Sequence, residues 1–499
     1  MKKDIERDAV VDPDGRISFA ACFRGYLKDC NAIACRIFWI LLVSCVFFGC
    51  GKTGLDPSSS VYSIQGTLTV AGEADPDSAV IRLWAVPTDV QLQQALLQYP
   101  ALGFAPVSPM LFNPLIQTLY RTVTPTSNGA YRFDDLPAGS YFLDAALAGY
   151  DCPDPLFITL PGNANAGLLT LAKIQSVTGI LNSGTWTTGE VYQLTGDVLV
   201  PPGQTLTIQS GVLILLAGDH TFTVSGRIII DGIPAHPVRF RLTPEHHAGG
   251  GDWGGLRLNE TVSGCEIIGV QFQGAATALR VIGGVAHVEE CLFETPAAFG
   301  VYFSASAYGW VKHSIVRDGD QGFVADNSNP QFEYNLFLRM TGRAVTVKTN
   351  SQATVYSNAM YDCQTGIWSD WNTAPLIHYN LVSGGSRALE AQDGFTSLVE
   401  YNDFVGQTVE CIYLNIRNCY PIIKNNNFIA VPQTVLRING NNGQQSDTVY
   451  AQYNYWDGKD LSGIPALIID GQDVGSPGNP ISPVVFQPFR LTPVAGTGP

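Results

Sequence analysis

The chain has 499 residues, of which 43 are acidic and 28 are basic, so its formal net charge is −15. A surface of this sign repels phosphate backbones, which excludes a general nucleic-acid-binding protein. Apolar residues make up 45% of the chain and charged residues only 14%, which excludes wholesale disorder and indicates an exported protein rich in β-structure.

The first predicted element is a signal peptide over residues 1–49. Its apolar run, Ile37–Gly49, follows Arg36 and is shorter than the roughly 20 residues that a membrane-spanning helix needs. The run ends in the sequence FFGC at Cys50, which resembles the lipobox of bacterial lipoproteins. This resemblance implies cleavage before Cys50, a lipid on Cys50, and sorting to the outer membrane or cell surface. An ordinary cleaved signal or a short anchor is the alternative.

A small β-sandwich is predicted over residues 63–172, after a linker at 50–62. Residues 128–150 read NGAYRFDDLPAGSYFLDAALAGY, in which two strand-like segments flank a Leu-Pro-Ala-Gly turn. This pattern resembles the carboxypeptidase regulatory-like family, which implies a transthyretin-type sandwich that acts as a non-catalytic spacer or binding module. Residues 88–120 form a long apolar insertion, which is either a contact surface or a loop packed on the sandwich.

Most of the remaining chain repeats every 22 residues or so. A unit this short cannot bury its own apolar side, so the units must stack on one another. The pattern predicts a parallel β-helix over residues 177–490, with asparagine amides stacked at an inward corner and a tail at 491–499. The apolar series comprises Leu279, Val301, Phe323, Val345, Ile367, Leu389 and Cys411, and the polar series Asn335, Asn358, Asn380, Asn402, Asn426 and Asn454.

This repeat resembles the right-handed parallel β-helix (pectate-lyase-like) superfamily. The segments GDWGGL at 251–256 and YNYWD at 453–457 are similar to its first and last coils. The expected fold class is therefore all-β, a right-handed parallel β-helix of about 22 residues per coil preceded by a small β-sandwich. The resemblance implies no reaction, because this fold occurs in lyases, hydrolases, binding proteins and inert scaffolds.

The same register predicts two outward-facing columns. Aromatic rings beside acids suit sugars, because ring faces stack and carboxylates accept hydrogen bonds from hydroxyls. The candidate ligand-binding residues are Trp368, Trp371, Tyr302 and Asp393. One column comprises Arg280, Tyr302, Val324, Thr346, Trp368, Glu390 and Ile412, and the other Ile282, Ser304, Asp326, Lys348, Asp370, Gln392 and Leu414.

The candidate catalytic residues are Asp326, Asp370, Glu390 and Lys348. Asp326 and Asp370 are expected two coils apart, about 9.6 Å between backbones, near the upper separation of an inverting carboxylate pair. Lys348 could instead be the base of a lyase, but two flanking acids would raise its pKa and keep it protonated. The alternative without chemistry is an Asp–Lys–Asp surface ladder that stabilises coil stacking.

No metal or cofactor site is predicted. The cysteines contain no Cys-x-x-Cys pair, and His246 and His247 lack partners at metal-ligand spacing. Cys291 and Cys411 are expected to be buried thiols by their register, although Cys411 and Cys419 could close a short disulfide loop.

Together these patterns predict an envelope-exposed lipoprotein whose β-helix binds or presents to carbohydrate without chemistry. Its expected partners are a polysaccharide or cell-surface glycan and, through the lipid anchor, a membrane. One alternative is a polysaccharide lyase or glycoside hydrolase acting on acidic or neutral glycans. Another is an adhesin or assembly scaffold, in which the insertion at 88–120 contacts a protein partner.

Overall fold

A computed structural model describes residues 61–499 except 73, 249–251, 416–417, 440–447 and 475–480. The predicted signal peptide and Cys50 lie outside the described residues, so the lipoprotein hypothesis stays a prediction. Residues 60–499 form one compact unit. Within the described ranges, no helix is long and apolar enough to cross a membrane.

The N-terminal strands form a small sandwich with its own apolar core. In chain order these strands are β1 (Tyr62–Val70), β2 (Val80–Ala85), β3 (Leu119–Val123), β4 (Ala130–Leu136), β5 (Gly139–Leu147), β6 (Tyr150–Asp151), β7 (Leu156–Leu160) and β8 (Ala164–Ile180). One sheet has the order β4–β1–β8, and the other has the order β3–β2–β5–β7. The assignment of this sandwich to the carboxypeptidase regulatory-like family stays a prediction.

Strand β8 joins the sandwich to the solenoid without a break. Its first half pairs with β1 of the sandwich, and its second half pairs with the strand Val191–Val200 of the first coil. The two parts therefore share a continuous backbone ladder.

The rest of the chain winds into coils whose strands stack as three parallel sheets, which we call sheets A, B and C. Three strands turn a corner and belong to two sheets each: Val191–Val200, Leu256–Ile268 and Thr277–Glu289. Sheet A further contains Phe222–Val224, Phe299–Ser304, Gln321–Asp326, Arg343–Lys348, Thr365–Asp370, Arg387–Gln392, Glu410–Asn415, Thr434–Asn439 and Ile468–Ile469. The predicted all-β parallel β-helix is confirmed.

The other two sheets complete each coil. Sheet B contains Gly184–Trp186, Thr205–Gln209, Arg227–Asp231, Tyr308–Lys312, Gln331–Glu333, Thr354–Tyr356, Leu376–His378, Leu398–Glu400, Ile422–Lys424, Val449–Tyr450 and Val484–Val485. Sheet C contains Leu213–Leu216, Val238–Leu242, Val270–Gln273, Leu292–Glu294, Ile315–Arg317, Leu336–Leu338, Ala359–Tyr361, Leu381–Ser383, Asp403–Val405, Asn427–Ile429 and Tyr455–Trp456. The described helices are short: α1 (Val90–Gln98), α2 (Pro244–Ala248), α3 (Gly471–Val474) and the 3₁₀ turns Pro76–Ser78, Ser108–Leu111 and Pro465–Leu467.

The predicted asparagine ladder is confirmed at one inward corner of the solenoid. Asn358 and Asn380 are fully buried. Both the backbone N–H and the side-chain Nδ2 of Asn358 donate to Oδ1 of Asn380 at 3.0 Å. The same Nδ2 also donates to the carbonyl of Phe332 in the preceding coil at 2.8 Å. The ladder therefore satisfies buried amides where the chain turns, which agrees with the rule that buried polar groups are paired.

The predicted register of sheet A fails at its seventh rung. Glu390 pairs with Tyr413 rather than Ile412, and both Ile412 and Leu414 are fully buried. The prediction that Ile412 and Leu414 face outward is therefore wrong. The coil between these rungs is one residue longer than the repeat, and a slip of one residue moves every side chain to the opposite face of the strand.

The insertion at 88–120 lies between the sandwich and sheet C. The carboxylate of Asp89, which precedes α1, accepts the backbone N–H of Leu92 at 3.1 Å and pairs with Arg317 at 3.2 Å and Arg339 at 2.8 Å. The insertion therefore packs on the solenoid as well as on the sandwich. One apolar core contains Trp84, Leu92, Phe104, Met110, Phe112 and Phe142 together with Leu292, Ile315, Leu336, Leu338, Ala359 and Leu381 of sheet C.

The predicted buried thiols are confirmed for Cys291 and Cys411, which are fully buried. No disulfide joins the described cysteines, so the short loop between Cys411 and Cys419 is not closed covalently. Burial raises the pKa of the Cys291 thiol to about 12 and that of Cys419 to about 11.

Candidate functional site

The outward face of sheet A places three charged side chains on consecutive rungs. Asp326 pairs in register with Lys348, and Lys348 with Asp370. Nζ of Lys348 lies 3.3 Å from Oδ2 of Asp326, and the hydroxyl of Tyr302 donates to the same oxygen. The structure thus brings Asp326, Lys348 and Asp370 onto consecutive rungs as the sequence predicts, and it adds the contact of Tyr302 with Asp326.

Within this cluster, Asp326 and Lys348 form an ion pair. Burial disfavours the carboxylate of Asp326, but hydrogen bonds from Tyr302 and Thr349 and the charge of Lys348 hold its pKa below the usual value. Burial likewise favours loss of the Lys348 proton, but Tyr302 and Asp326 raise the pKa of Lys348 above its usual value. Lys348 is therefore protonated at neutral pH, and this opposes its role as a base.

Asp370 has the opposite electrostatic environment. Burial raises the pKa of Asp370, and the nearby Asp393 adds to this effect, while the Trp371 amide, Arg343 and Lys348 oppose it. Its strand lies two rungs from that of Asp326, about 9.6 Å by the spacing of strands. The two carboxyl groups therefore differ in proton affinity, and Lys348 lies on the rung between them.

Two of the predicted aromatic platforms are covered. Trp368 is only 9% exposed, and the guanidinium of Arg343 lies 3.8 Å from the centre of its ring. Tyr302 is also 9% exposed, with Arg280 at 5.0 Å and Lys348 at 5.5 Å from its ring centre. Each of these rings binds a cation of the protein itself, so neither presents an open face.

Trp371 is the open aromatic ring of the cluster. It is 62% exposed and sits at the corner directly after Asp370, in the left-handed backbone region with φ +62°. Its carbonyl accepts the N–H of Asn350 at 2.8 Å, and Asn372 donates to the carbonyl of Asp393 at the same distance. Backbone hydrogen bonds between coils thus fix the corner, while the Trp371 side chain is left to solvent.

A groove that the sequence pattern does not predict opens at the other end of the same strands. Its volume is about 430 Å³. Glu390 forms part of its wall, held by Arg387 at 3.1 Å and by the amide of Gln392 at 3.2 Å. The groove is lined by Asp320, Gln321, Gly342, Arg343, Gln364, Thr365, Ser386, Arg387, Glu390 and Val409. Glu390 therefore belongs to the groove, and its strand neighbour in register is the covered Trp368.

The described residues contain no group of three or more His, Cys, Asp or Glu side chains that could hold a metal ion. His246 and His247 lie on the short helix α2. The side chains described at the site are carboxylates, guanidinium groups, amides, the Lys348 ammonium and one open indole.

Fold and surface together define a parallel β-helix protein with a polar, aromatic outward face on one sheet. A family model described as a right handed beta helix region matches residues 254–394, which agrees with the predicted handedness. No curated protein matches the chain. Among solved structures, a mutant tailspike protein of E. coli bacteriophage HK620 in complex with a hexasaccharide is 14% identical over 52% of this chain, with a TM-score of 0.19. The match spans 58% of the tailspike chain, and neither comparison assigns a reaction or a ligand to this protein.

Proposed function

We propose that the protein binds carbohydrate without chemistry on the outward face of sheet A, with Trp371 as the stacking platform. The observation that carries this proposal is the 62% exposure of Trp371 next to Asp370 and Asp393. An indole offers a rigid apolar face for a sugar ring, and neighbouring carboxylates accept hydrogen bonds from its hydroxyls. Such a site uses a corner whose backbone is already fixed by hydrogen bonds between the stacked coils.

A non-catalytic role is favoured by how the charges are used. Asp326 and Lys348 neutralise each other at 3.3 Å, and the Tyr302 hydroxyl donates its hydrogen bond to the same carboxylate. A nucleophile or base has to be available to substrate, and these groups are engaged within the protein.

The alternative is a glycoside hydrolase that uses Asp370 as acid and Asp326 as base. The observation that favours it is the opposite direction of their pKa shifts, which is the arrangement that separates acid and base roles in carboxylate pairs. Their backbones are about 9.6 Å apart by strand spacing, near the upper carboxyl separation of an inverting pair.

A glycan array followed by product analysis separates these two functions. We expect glycan binding with no release of reducing ends or unsaturated sugars, and unchanged binding in Asp326→Asn. Release of product by the wild type that is lost in both Asp326→Asn and Asp370→Asn would establish the hydrolase instead. Absence of any bound glycan would remove the carbohydrate proposal.

A protein-binding scaffold has less support. The insertion at 88–120, which that role would offer to a partner, packs its apolar side chains on sheet C.

We also propose that the protein is exported and lipid-anchored through Cys50. Metabolic labelling with palmitate should mark the wild type and not Cys50→Ala. Labelling that persists in Cys50→Ala would refute the anchor.

A further inference from the structure

Two arginines occupy consecutive rungs on the outward face of sheet A. Arg257 pairs in register with Arg280, and Arg280 pairs with Tyr302. Adjacent strands are about 4.8 Å apart, so two positive side chains lie directly beside each other. Like charges in this arrangement destabilise a sheet unless a counter-charge is present.

Neither arginine has a carboxylate partner among the described residues. No acid lies within 4.0 Å of the guanidinium of Arg257 or Arg280. The Nε atom of each is buried and donates no hydrogen bond to a described residue. The positive charge of Arg257 contributes to lowering the pKa of Asp197, but the two side chains form no ion pair, and Oδ1 of Asp197 accepts the backbone N–H of Thr221 at 2.8 Å.

The same sheet shows what a structural arrangement of arginines looks like in this protein. Arg387 and Arg437 both approach Glu410, at 2.8 Å and 2.9 Å. Glu410 is buried and lies between them, so the two positive charges share an internal counter-charge. At Arg257 and Arg280 no acid of the described residues lies within ion-pair distance, so their charges are not neutralised by a direct partner within the protein.

We propose that Arg257 and Arg280 form a subsite for an acidic substituent, a carboxylate or sulfate, of the bound glycan. This inference rests on the proposed function and adds to it that the ligand is an acidic rather than a neutral carbohydrate. Guanidinium groups bind planar oxyanions through paired N–H donors, and these hydrogen bonds are stronger when both partners are charged.

The subsite lies on the same face of sheet A as the Trp371 corner, and the rings of Tyr302 and Trp368 between them are covered. The outward column leads from Arg280 through Tyr302, Val324 and Thr346 to Trp368, and each of these residues pairs in register with the next. This is four rungs, or about 19 Å by strand spacing. A ligand that contacts both the arginines and the Trp371 corner is therefore an oligosaccharide and not a single sugar.

The first arm of the test uses inorganic sulfate on the full-length protein. Sulfate should raise the thermal unfolding midpoint of the wild type more than that of the double variant Arg257→Gln/Arg280→Gln, compared with sodium chloride at equal ionic strength. Arg132→Gln is the control for loss of an arginine elsewhere, because it removes one positive charge from an exposed ion pair of the sandwich. Removal of an unpaired like charge should leave the double variant folded. Equal sulfate effects in the wild type and the double variant would overturn the subsite.

The second arm distinguishes a glycan substituent from a free anion. Binding of a β-1,4-linked glucuronic acid oligosaccharide is compared with that of the corresponding glucose oligosaccharide, which carries a neutral hydroxymethyl group in place of each carboxylate. We expect the acidic oligosaccharide to bind about tenfold tighter, and this preference to vanish in Arg257→Gln/Arg280→Gln and at high salt. A sulfate effect without any preference for the acidic oligosaccharide would assign the site to a free anion and overturn the glycan inference.

The same titrations separate this inference from the proposed function. Equal binding of both oligosaccharides that is lost in Trp371→Ala would leave carbohydrate binding intact and refute the acidic subsite. Binding of neither oligosaccharide to the wild type would count against the acidic glycan.

Discussion

Substitution of one ladder asparagine tests how the coils are held together. Asn380→Ala removes an Oδ1 that accepts the N–H and Nδ2 of Asn358, both at 3.0 Å, and an Nδ2 that donates to Val355 at 2.8 Å and to Asn402 at 3.0 Å. The side chains of Asn358, Asn380 and Asn402 are fully buried. The backbone N–H of Asn358 is then left without an acceptor. One unsatisfied buried group costs about 1–3 kcal/mol, and the lost hydrogen bonds add to it, so we expect destabilisation of about 3 kcal/mol.

The assay is urea unfolding followed by tryptophan fluorescence, together with hydrogen exchange at the Asn358 amide. The control is Asn182→Ala, an exposed asparagine early in the solenoid, which should change the free energy of unfolding by less than about 0.5 kcal/mol. The Asn358 amide should exchange faster in Asn380→Ala alone. If Asn380→Ala matches the control in both measurements, the stacked amides are not what stabilises this corner.

Three further predictions concern buried charges and thiols. Arg317→Gln leaves Glu294, which is 2% exposed, without its ion-pair partner. We expect this to lower the free energy of unfolding by about 3–5 kcal/mol in calorimetry. A loss below about 1 kcal/mol would contradict the importance of the Arg317 ion pairs for stability. Because the folded pKa of Asp326 is lowered, its contribution to stability is present above the unfolded value of about 3.9 and is lost as pH falls through the folded value. Asp326→Asn should therefore flatten the acid side of the unfolding midpoint against pH, and an unchanged slope would count against the ion pair. Cys291 and Cys419, with pKa values raised by burial to about 12 and about 11, should react with a thiol reagent at pH 8 only after unfolding, and rapid labelling of the native protein would show that they are accessible.

The fold was predictable because the repeat is carried by residue types that suit only one position. Asn358 and Asn380 recur where an inward corner leaves backbone amides to satisfy, and Val345 and Ile367 recur where the interior is apolar. A period of this length is visible in a single sequence. The register failed at Tyr413 because one residue inserted in a turn leaves no signal of its own.

The candidate site was predictable only as a column of residues. The register placed Asp326, Lys348 and Asp370 correctly, but it could not show that Arg343 covers Trp368, since Arg343 lies on another strand and its side chain reaches across. The exposure of Trp371 depends on its corner position, which the repeat does not specify.

The contact between the insertion and sheet C was also beyond the sequence. Leu336 and Leu338 point away from the solenoid interior, and their cover comes from residues such as Phe112, more than two hundred positions earlier in the chain. Nothing local to either segment indicates the pairing, because it depends on how the sandwich is set against the first coils.

The most direct test of carbohydrate binding on sheet A is isothermal titration of the wild type and Trp371→Ala with a glycan identified on the array. The matched control is Tyr308→Ala, which removes another exposed aromatic ring from sheet B. Loss of a stacking platform is expected to weaken binding by about tenfold or more, with the control unchanged. Equal affinity of Trp371→Ala and the wild type would contradict the account.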